Sequence, residues 1–371
     1  MTRLLAVAGT GQVSGAERVL LRVLATARSE GWAVACAAPP GPLAAQLREH
    51  GVRVVPLPEL GLAAGPRALA VPRTLARWAR AAAAVRRAAR GADVVLGNAL
   101  TALPVLRLAR CRPPVVWLAH DVVVRPDRLR VVRLSAPALS RVVGVSAAVT
   151  ERLQGAGVPL SVVHNGVAWP VDPAHPEPAP AVPVVGVNAL LTPWKGHHVV
   201  LEAAARLAGP VRIEIMGGQL PKDAEYADGV ARAAAAVSSS ARRVEVEVLG
   251  HVADPLARMR TWTVALSAST DPEACPLNVL EAMSLGVPVV ATDHGGSPEV
   301  LDGSGVLVPP GDPAALAAAV VRLLDDPELR ERCSHSGRHR VAQAHRLEEQ
   351  TRVLLRLLAD EAAGHEVGES R

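Results

Sequence analysis

Short, fully apolar runs alternate with longer helical stretches along nearly the whole chain, and this alternation constrains the fold most. In the first half the runs are rich in Val, Leu and Ala, as at Leu4–Ala8, Ala33–Ala38 and Val115–Ala119. Runs that are apolar at every position are typical of parallel strands covered on both faces. The pattern therefore predicts an α/β protein in which helices connect the strands of parallel sheets.

A proline-rich segment divides this alternation into two halves. Residues 169–183 contain six prolines, and proline is excluded from helix interiors and central strands, which predicts a stiff, extended linker. The alternation restarts at residue 184 and predicts two doubly wound, Rossmann-like domains, residues 1–168 and 184–358, and a flexible tail over 359–371. The last helix can pack back on the first domain. We expect the ligand site in a cleft between the domains, at the carboxyl ends of the strands.

The composition excludes several classes of protein. Of 371 residues, 50% are hydrophobic and 20% charged, so the chain can bury large cores and is neither disordered nor fibrous. No apolar run reaches the roughly 18 residues that a membrane-spanning helix needs, and the first run is too short for a signal peptide. The four cysteines lie far apart in no metal or redox motif, so we expect a reduced, cytoplasmic protein without a metal site.

The charge is distributed unevenly. Residues 1–168 contain 22 Arg and 8 acidic residues, a net charge of +14, whereas residues 169–371 carry −9. A strongly basic first domain indicates an anionic partner. Nucleic acid is not expected, because few aromatic side chains are present to stack on bases.

The predicted helix over residues 67–90 has two interpretations. It either covers the sheet with its apolar stripe, or it docks its arginine face on anionic lipid at the inner face of the membrane. The apolar stripe consists of Val71, Leu75, Trp78, Ala82, Val85 and Ala89, and the opposite face of Arg73, Arg77, Arg80 and Arg87.

A glycine-rich turn, Gly9–Gly15, follows the first predicted strand and opens a helix. The free N–H groups at such a turn form an anion site. The glycine spacing differs from that of a dinucleotide fingerprint, and the second strand ends in Pro39-Pro40, where an NAD site needs a carboxylate. An oxidoreductase is therefore disfavoured, and a plain packing turn remains the alternative.

A lysine follows the first strand of the second domain. Lys195 is one of only two lysines and lies in the run Thr192–His198 beside a glycine, which suits a phosphate at a strand end. The alternative is an exposed loop lysine. The adjacent His197 and His198 point in different directions and are expected at a helix start, not at a metal.

Two glutamates, Glu273 and Glu281, flank the start of a helix predicted over Cys275–Ser284. Pro276 suits its first turn, so the free N–H groups of the next two residues can meet a phosphate while the acids take sugar hydroxyls. A second glycine turn follows the next strand at the same edge. Surface acids and simple turns are the alternatives.

These runs together resemble the donor-binding signature of retaining glycosyltransferases of family 4, which have the GT-B fold. The resemblance rests on Glu273–Glu281, Gly295–Glu299, Ser14–Leu20, His164–Val167 and Thr192–His197, and it extends from about residue 5 to residue 355. It implies metal-independent, cofactor-free transfer of a hexosyl group from a UDP, GDP or ADP sugar. The acceptor would be a hydroxyl of a glycan, a lipid-linked molecule or a small molecule.

The resemblance also implies roles for particular residues. Lys195 would bind the donor diphosphate, Glu273 the transferred sugar and Glu281 the ribose, while His120, at a strand end in the first domain, would lie near the sugar. The implied catalytic residues are thus His120, Lys195 and Glu273. The implied donor-binding residues are Gly15, Lys195, Glu273, Pro276, Leu277, Asn278, Glu281, Gly295 and Gly296.

Two positions depart from the family pattern. Leu190 stands where the family usually has an arginine, and Ser14-Gly15 replaces a glycine pair. A missing cation would weaken donor binding, which leaves open a weakly active or inactive nucleotide-sugar binding protein. A nucleotide-sugar epimerase or hydrolase on the same fold is a further alternative.

Overall fold

The computed structural model describes residues 1–61, 67–169, 180–239 and 243–369. The chain divides into two compact units: unit 1 is Met1–Asn165 with Glu348–Arg371, and unit 2 is Gly166–Leu347. The linker predicted over 169–183 lies largely outside the described residues. None of the helices within the described ranges is long and apolar enough to cross a membrane.

Unit 1 is built on a seven-stranded, wholly parallel sheet in the order β3-β2-β1-β4-β5-β6-β7. Its strands are β1 Arg3–Val7, β2 Ala33–Ala38, β3 Arg53–Pro56, β4 Val94–Gly97, β5 Val115–Ala119, β6 Arg141–Gly144 and β7 Leu160–Val162. Its helices are α1 Gly15–Ser29, α2 Pro42–Glu49, α3 Arg67–Ala89, α4 Leu103–Ala109, α5 Pro126–Ser135, α6 Ala147–Glu151 and, from the chain's end, α14 Leu347–Glu369.

Unit 2 is built on a six-stranded parallel sheet in the order β10-β9-β8-β11-β12-β13. Its strands are β8 Val184–Asn188, β9 Val211–Met216, β10 Val244–Gly250, β11 Val264–Ser267, β12 Val289–Thr292 and β13 Val306–Val308. Its helices are α7 His197–Ala204, α8 Ala224–Ser238, α9 Pro255–Met259, α10 Leu277–Ser284, α11 Ser297–Leu301, α12 Pro313–Asp325 and α13 Pro327–Ala344. The predicted α/β class with two Rossmann-like domains is confirmed.

The strand order of each sheet reverses beside its first strand. In unit 1, β1 lies between β2 and β4, and in unit 2, β8 lies between β9 and β11. The carboxyl ends of parallel strands at such a reversal form the ligand-binding edge of open α/β sheets. Residues that directly follow β1, β4 and β5, or β8, β11 and β12, are therefore placed where ligands bind.

Local sequence explains several helix starts. Asp312 and Asp326 each precede a proline, and each Oδ1 accepts a hydrogen bond from a backbone N–H of the first turn that follows. Such caps satisfy donors that no preceding turn can reach, while proline fits the first helical position. These two Asp-Pro pairs therefore fix where α12 and α13 begin.

The end of the chain differs from our expectation. The helix predicted over 327–358 is interrupted at His345 and Arg346, and the tail predicted from residue 359 is helical through Glu369. Helix α14 belongs to unit 1, where Glu361 forms a 2.7 Å ion pair with Arg141. Buried apolar side chains of this helix explain why a segment rich in charge is ordered: Leu354, Leu355, Leu358 and Ala362.

Candidate functional site

Lys195 and Glu273 form an ion pair at the carboxyl edge of the unit 2 sheet. Lys195 ends a helical turn after β8, Glu273 follows the neighbouring β11, and Nζ lies 2.7 Å from Oε2. Their side chains are only 13% and 8% exposed, and Nζ lies 4.1 Å from the ring centroid of Trp194. These two site residues, each predicted after a strand of the second domain, are thus in direct contact.

The carboxylate of Glu273 is held in its ionised form. Burial alone would raise its pKa, but the charge of Lys195 and hydrogen bonds from Lys195 and Ser269 outweigh that effect, and the net pKa lies below its ordinary value. Ser267 Oγ lies 3.5 Å from the same carboxylate oxygen that Ser269 contacts. Glu273 is therefore a negative group that accepts hydrogen bonds at neutral pH, not a proton donor.

Glycine allows the backbone to come close to both members of this pair. Gly196, directly after the lysine, has φ of +73°, and a Cβ there would lie 1.9 Å from the Ala268 carbonyl oxygen. Gly295 has φ of +60°, and a Cβ there would lie 2.2 Å from the Glu273 carbonyl oxygen. Gly296 N–H donates to that same oxygen at 2.7 Å. The predicted glycine pair thus supports the backbone of Glu273.

Helix α10 begins two residues later than expected. Pro276 is its cap and Leu277 is its first residue. Glu281 therefore lies one turn into the helix, whereas the predicted start at Cys275 would place it two turns in. Pro276 is buried, whereas Leu277, Asn278 and Glu281 are half-buried. The first turn of α10 thus lies on the chain segment that directly follows Glu273.

Leu190 and Leu191 follow β8 and lie against the loop after β9. Leu191 N–H donates to the Gly218 carbonyl at 2.8 Å, while the Leu190 side chain is 37% exposed. The position that lacks the expected cation is therefore accessible from solvent in unit 2.

The histidines beside Lys195 lie at a helix start, as the sequence indicated. His197 is completely buried, and burial lowers its pKa to about 4. It is therefore a neutral core residue in the first turn of α7. Among the described residues, no group of three His, Cys, Asp or Glu side chains could hold a metal ion.

His120 and Gly15, which belong to unit 1, lie at the carboxyl edge of its sheet. His120 directly follows β5, and its Nε2 lies 2.9 Å from Asn98 Oδ1. Asn98 follows the neighbouring β4, is 1% exposed, and donates from Nδ2 to the Ala16 carbonyl at 3.3 Å. Burial lowers the pKa of His120 to about 4, so its ring is neutral at physiological pH.

Gly15 is the exposed first residue of α1. The backbone N–H and the hydroxyl of Ser14 both donate to the buried carboxylate of Glu17, a capping box that fixes the helix start. The earlier Gly11 N–H donates to Glu59 Oε1 at 3.2 Å. One N–H group of the predicted anion loop is thus already paired with a carboxylate.

Sequence reasoning missed Asn98, Ser269 and Trp194, all of which contact predicted site residues. The rule that neighbouring strand ends share one edge could have found Asn98, because it directly follows β4. Ser269 lies two residues after the end of β11. The contact of Trp194 with the lysine ammonium is a side-chain arrangement that no sequence pattern specifies.

The apolar stripe of α3 is only partly buried. Val85 and Ala89 pack in the core, and Trp78 Nε1 donates to the Leu60 carbonyl at 2.9 Å. Val71 and Leu75, in contrast, are 56% and 54% exposed. The end of α3 therefore covers the sheet with its apolar stripe, as one interpretation predicted, whereas the apolar side chains at its beginning are exposed.

Family models match both units. The model described as Glycosyltransferase Family 4 matches residues 13–168, and the model described as Glycosyl transferases group 1 matches residues 182–326. Together they span most of the chain and include every site residue that the sequence predicted.

Individual relatives match shorter segments. The Escherichia coli K12 protein WcaL, named as a glycosyltransferase of colanic acid biosynthesis, is 33% identical over 190 residues, 48% of this chain and 46% of WcaL. The phosphatidyl-myo-inositol mannosyltransferase of Mycobacterium leprae is 43% identical over 96 residues, 25% of this chain and 26% of the relative. The chain thus spans less than half the length of these curated relatives.

A solved structure matches nearly the whole chain. Anabaena HepE in complex with UDP and glucose superposes with a TM-score of 0.82 and 23% identity, over 97% of this chain and 100% of HepE. At this level of identity the likeness concerns the fold of both units.

Proposed function

The chain belongs to glycosyltransferase family 4 and has the GT-B fold, and from this premise we propose that it transfers a hexosyl group from a nucleoside diphosphate sugar to a hydroxyl acceptor. The observation that carries the proposal is the buried ion pair of Lys195 and Glu273 at the carboxyl edge of unit 2. HepE, which has the same fold, binds UDP. The mannosyltransferase relative supports a hexosyl donor.

In this proposal Lys195 binds the donor diphosphate. Breaking the bond between the anomeric carbon and the diphosphate leaves negative charge on the leaving oxygen, and a fixed cation stabilises that charge. The first-turn N–H groups of α10 at Leu277 and Asn278 add further positive potential for the phosphates. Glu281, one turn further along, accepts hydrogen bonds from the ribose.

Glu273 accepts hydrogen bonds from hydroxyls of the transferred sugar. Its lowered pKa keeps it ionised, so it binds donors of hydrogen bonds and does not protonate the leaving group. Its backbone is held by Gly295 and Gly296, which fixes the carboxylate relative to Lys195. The acceptor oxygen then bonds to the anomeric carbon, whose configuration is retained, and no metal ion takes part. The proton of the acceptor hydroxyl passes to the released diphosphate or to solvent.

The test is turnover of UDP-, GDP- and ADP-hexoses, followed by release of the nucleoside diphosphate. We expect Lys195→Ala to lower kcat/KM by about 100-fold, the usual effect of removing one transition-state charge partner. Lys222→Ala is the matched control, because Lys222 is the only other lysine and is exposed in unit 2, and it should leave turnover unchanged.

Three results would contradict parts of the proposal. Absence of turnover with every donor would favour a binding protein, and inverted anomeric configuration of the product by NMR would exclude retention. Loss of activity on addition of EDTA would exclude metal independence. Equal effects of the two lysine substitutions would remove Lys195 from the donor site.

We further propose that unit 1 docks on anionic lipid through the beginning of α3. Arg73 and Arg80 are exposed on the face of this helix opposite Val71 and Leu75. Arginine side chains on this face would pair with the phosphates of anionic lipids. This surface would bring unit 1 to a membrane-borne acceptor.

Co-sedimentation with vesicles tests this docking. Binding should rise with the fraction of anionic lipid and fall with salt, and the double substitution Arg73→Ser with Arg80→Ser should weaken it. Arg322→Ser with Arg332→Ser, at two exposed arginines of unit 2, is the matched control. Equal binding to neutral vesicles would contradict the proposal.

A further inference from the structure

The hydrogen-bonded chain from Ala16 through Asn98 to His120 lies at the point where the unit 1 sheet reverses. Asn98 and His120 each directly follow a strand, and β4 and β5 are neighbours in register. The Asn98 backbone is fixed as well, because its N–H donates to the Val7 carbonyl at 3.0 Å. Asn98 is therefore held through its backbone by β1, and through its side chain by His120 and by the first turn of α1.

Which atom donates and which accepts in each of these two hydrogen bonds follows from the chemistry of the groups at the ends of the chain. The Ala16 carbonyl can only accept, so the amide group of Asn98 must turn Nδ2 toward it, at 3.3 Å. The amide oxygen Oδ1 then faces His120 Nε2 at 2.9 Å. Because this oxygen can also only accept, His120 must carry a hydrogen on Nε2.

We propose that Asn98 is a positioning residue that fixes His120 as the neutral tautomer protonated on Nε2, leaving Nδ1 as the ring atom that accepts hydrogen bonds. The neutral state has a separate basis, because burial of the imidazole disfavours its charged form. The fixed ring presents an acceptor, not a cation, to whatever binds at this edge of unit 1. That His120 acts on the donor sugar rests on the proposed function, whereas its tautomer does not.

The side chain of Asn98 connects His120 to the glycine loop through its two hydrogen bonds. Ala16 directly follows Gly15, the first residue of α1, so one buried amide sets the ring of the histidine relative to the start of that helix. Leucine at this position would remove both hydrogen bonds. Aspartate would retain the acceptor for His120 and lose the donor to Ala16.

Nitrogen NMR of the histidine side chains of this protein tests the tautomer directly. We expect the His120 ring of the wild type to show a protonated Nε2 and a bare Nδ1. Asn98→Asp should retain the protonated Nε2, and Asn98→Leu should release the ring to a mixture of both tautomers. Asn188→Asp, in unit 2, is the charge control and should leave the His120 signals unchanged. A wild-type ring protonated on Nδ1, or a single unchanged tautomer in Asn98→Leu, would overturn the proposal.

Kinetics separate positioning from mere structural support. Loss of a buried hydrogen bond that orients the His120 ring is expected to lower kcat about tenfold. Asn98→Leu should therefore lower kcat about tenfold and change KM for the donor by less than about twofold. Asn98→Asp should recover part of kcat. A change in KM alone would contradict the positioning role. Absence of any turnover in the wild type would refute the proposed function and leave the NMR result to decide the tautomer.

Discussion

The two units hold their candidate residues in electrostatically opposite ways. Unit 2 pairs two full charges, Lys195 and Glu273, in a nearly buried contact. Unit 1 holds His120 through a neutral amide, Asn98, although the first half of the sequence carries most of the positive charge. The two residues that directly follow β4 and β5 of unit 1, Asn98 and His120, are therefore uncharged, in contrast to the charged pair of unit 2.

From this difference we expect the two units to bind chemically different groups. A fixed cation beside a fixed carboxylate suits the binding of a charged diphosphate and the hydroxyls beside it. A neutral imidazole and an exposed glycine suit an uncharged sugar or acceptor hydroxyl. Substitutions in unit 2 should therefore change donor affinity and turnover together, whereas those in unit 1 should change turnover alone.

The largest expected effect comes from Glu273→Gln. Turnover, measured as kcat/KM, should fall about 1000-fold, because several hydrogen bonds to the sugar lose their charged acceptor. Affinity for the free nucleoside diphosphate should stay equal or rise, since Lys195 loses its competing partner. Glu328→Gln, at a 91% exposed side chain of unit 2, is the control. A parallel loss of nucleotide affinity would contradict the division of roles between the two residues.

Gly196→Ala should destabilise the protein by about 4 kcal/mol, since the left-handed backbone and the contact with the Ala268 carbonyl are both unfavourable for alanine. The matched control is Gly31→Ala in unit 1, where φ is +83° but no atom lies within 4 Å of the added Cβ. That control should cost about 1 kcal/mol. Denaturant unfolding of both variants measures the difference, and equal costs would contradict the close approach at Gly196.

Acid should destabilise both units through their buried histidines. The pKa of His197 is about 4 in the folded state, against about 6.5 in the unfolded chain. The unfolded state therefore binds more protons, and stability is lost as the pH falls from 6.5 to 4, by up to about 3 kcal/mol for His197.

Unfolding of His197→Leu across this pH range measures that contribution. The variant should lose less stability on acidification than the wild type. His251→Gln, at an exposed histidine of unit 2, should follow the wild-type curve. A wild-type stability that does not fall between pH 6.5 and 4 would show that the histidines are not held neutral.

The smallest expected effect is a gain in affinity for the nucleoside diphosphate. Leu190→Arg places a cation at an accessible position of the loop that leads to Lys195, and nucleoside diphosphate affinity should rise about fivefold through one added charge-assisted hydrogen bond. Leu307→Arg, at another 37% exposed leucine of unit 2, should leave affinity unchanged. Equal gains in both variants would indicate a general charge effect and not a specific contact.

The sequence predicted the sheets well because buried parallel strands are apolar at every position. The bounds of β2 and β5 agree with the predicted ones to the residue. Strand β7, which is only half-buried at Leu160 and Ser161, lacks that pattern and was missed. The tail predicted from residue 359 was wrong for a related reason, since Ala362 is buried only through tertiary packing of α14 in unit 1.

For the candidate site, strand-end position was predictable and side-chain pairing was not. Lys195 and Glu273 were expected at one edge, but nothing in their spacing required them to pair with each other. Likewise Gly295 and Gly296 were expected to face a donor, whereas their observed contacts are with the backbone of Glu273. Contacts between residues 78 positions apart in the chain depend on the packed structure.

The proposed function depends on Lys195 binding the diphosphate of the donor in unit 2. Calorimetric titration of UDP, GDP and ADP into the wild type, Lys195→Ala and Lys222→Ala measures this interaction. We expect at least one nucleotide to bind, Lys195→Ala to weaken this binding at least tenfold, and Lys222→Ala to leave it unchanged. Equally strong binding to Lys195→Ala and to the wild type would show that Lys195 does not hold the diphosphate.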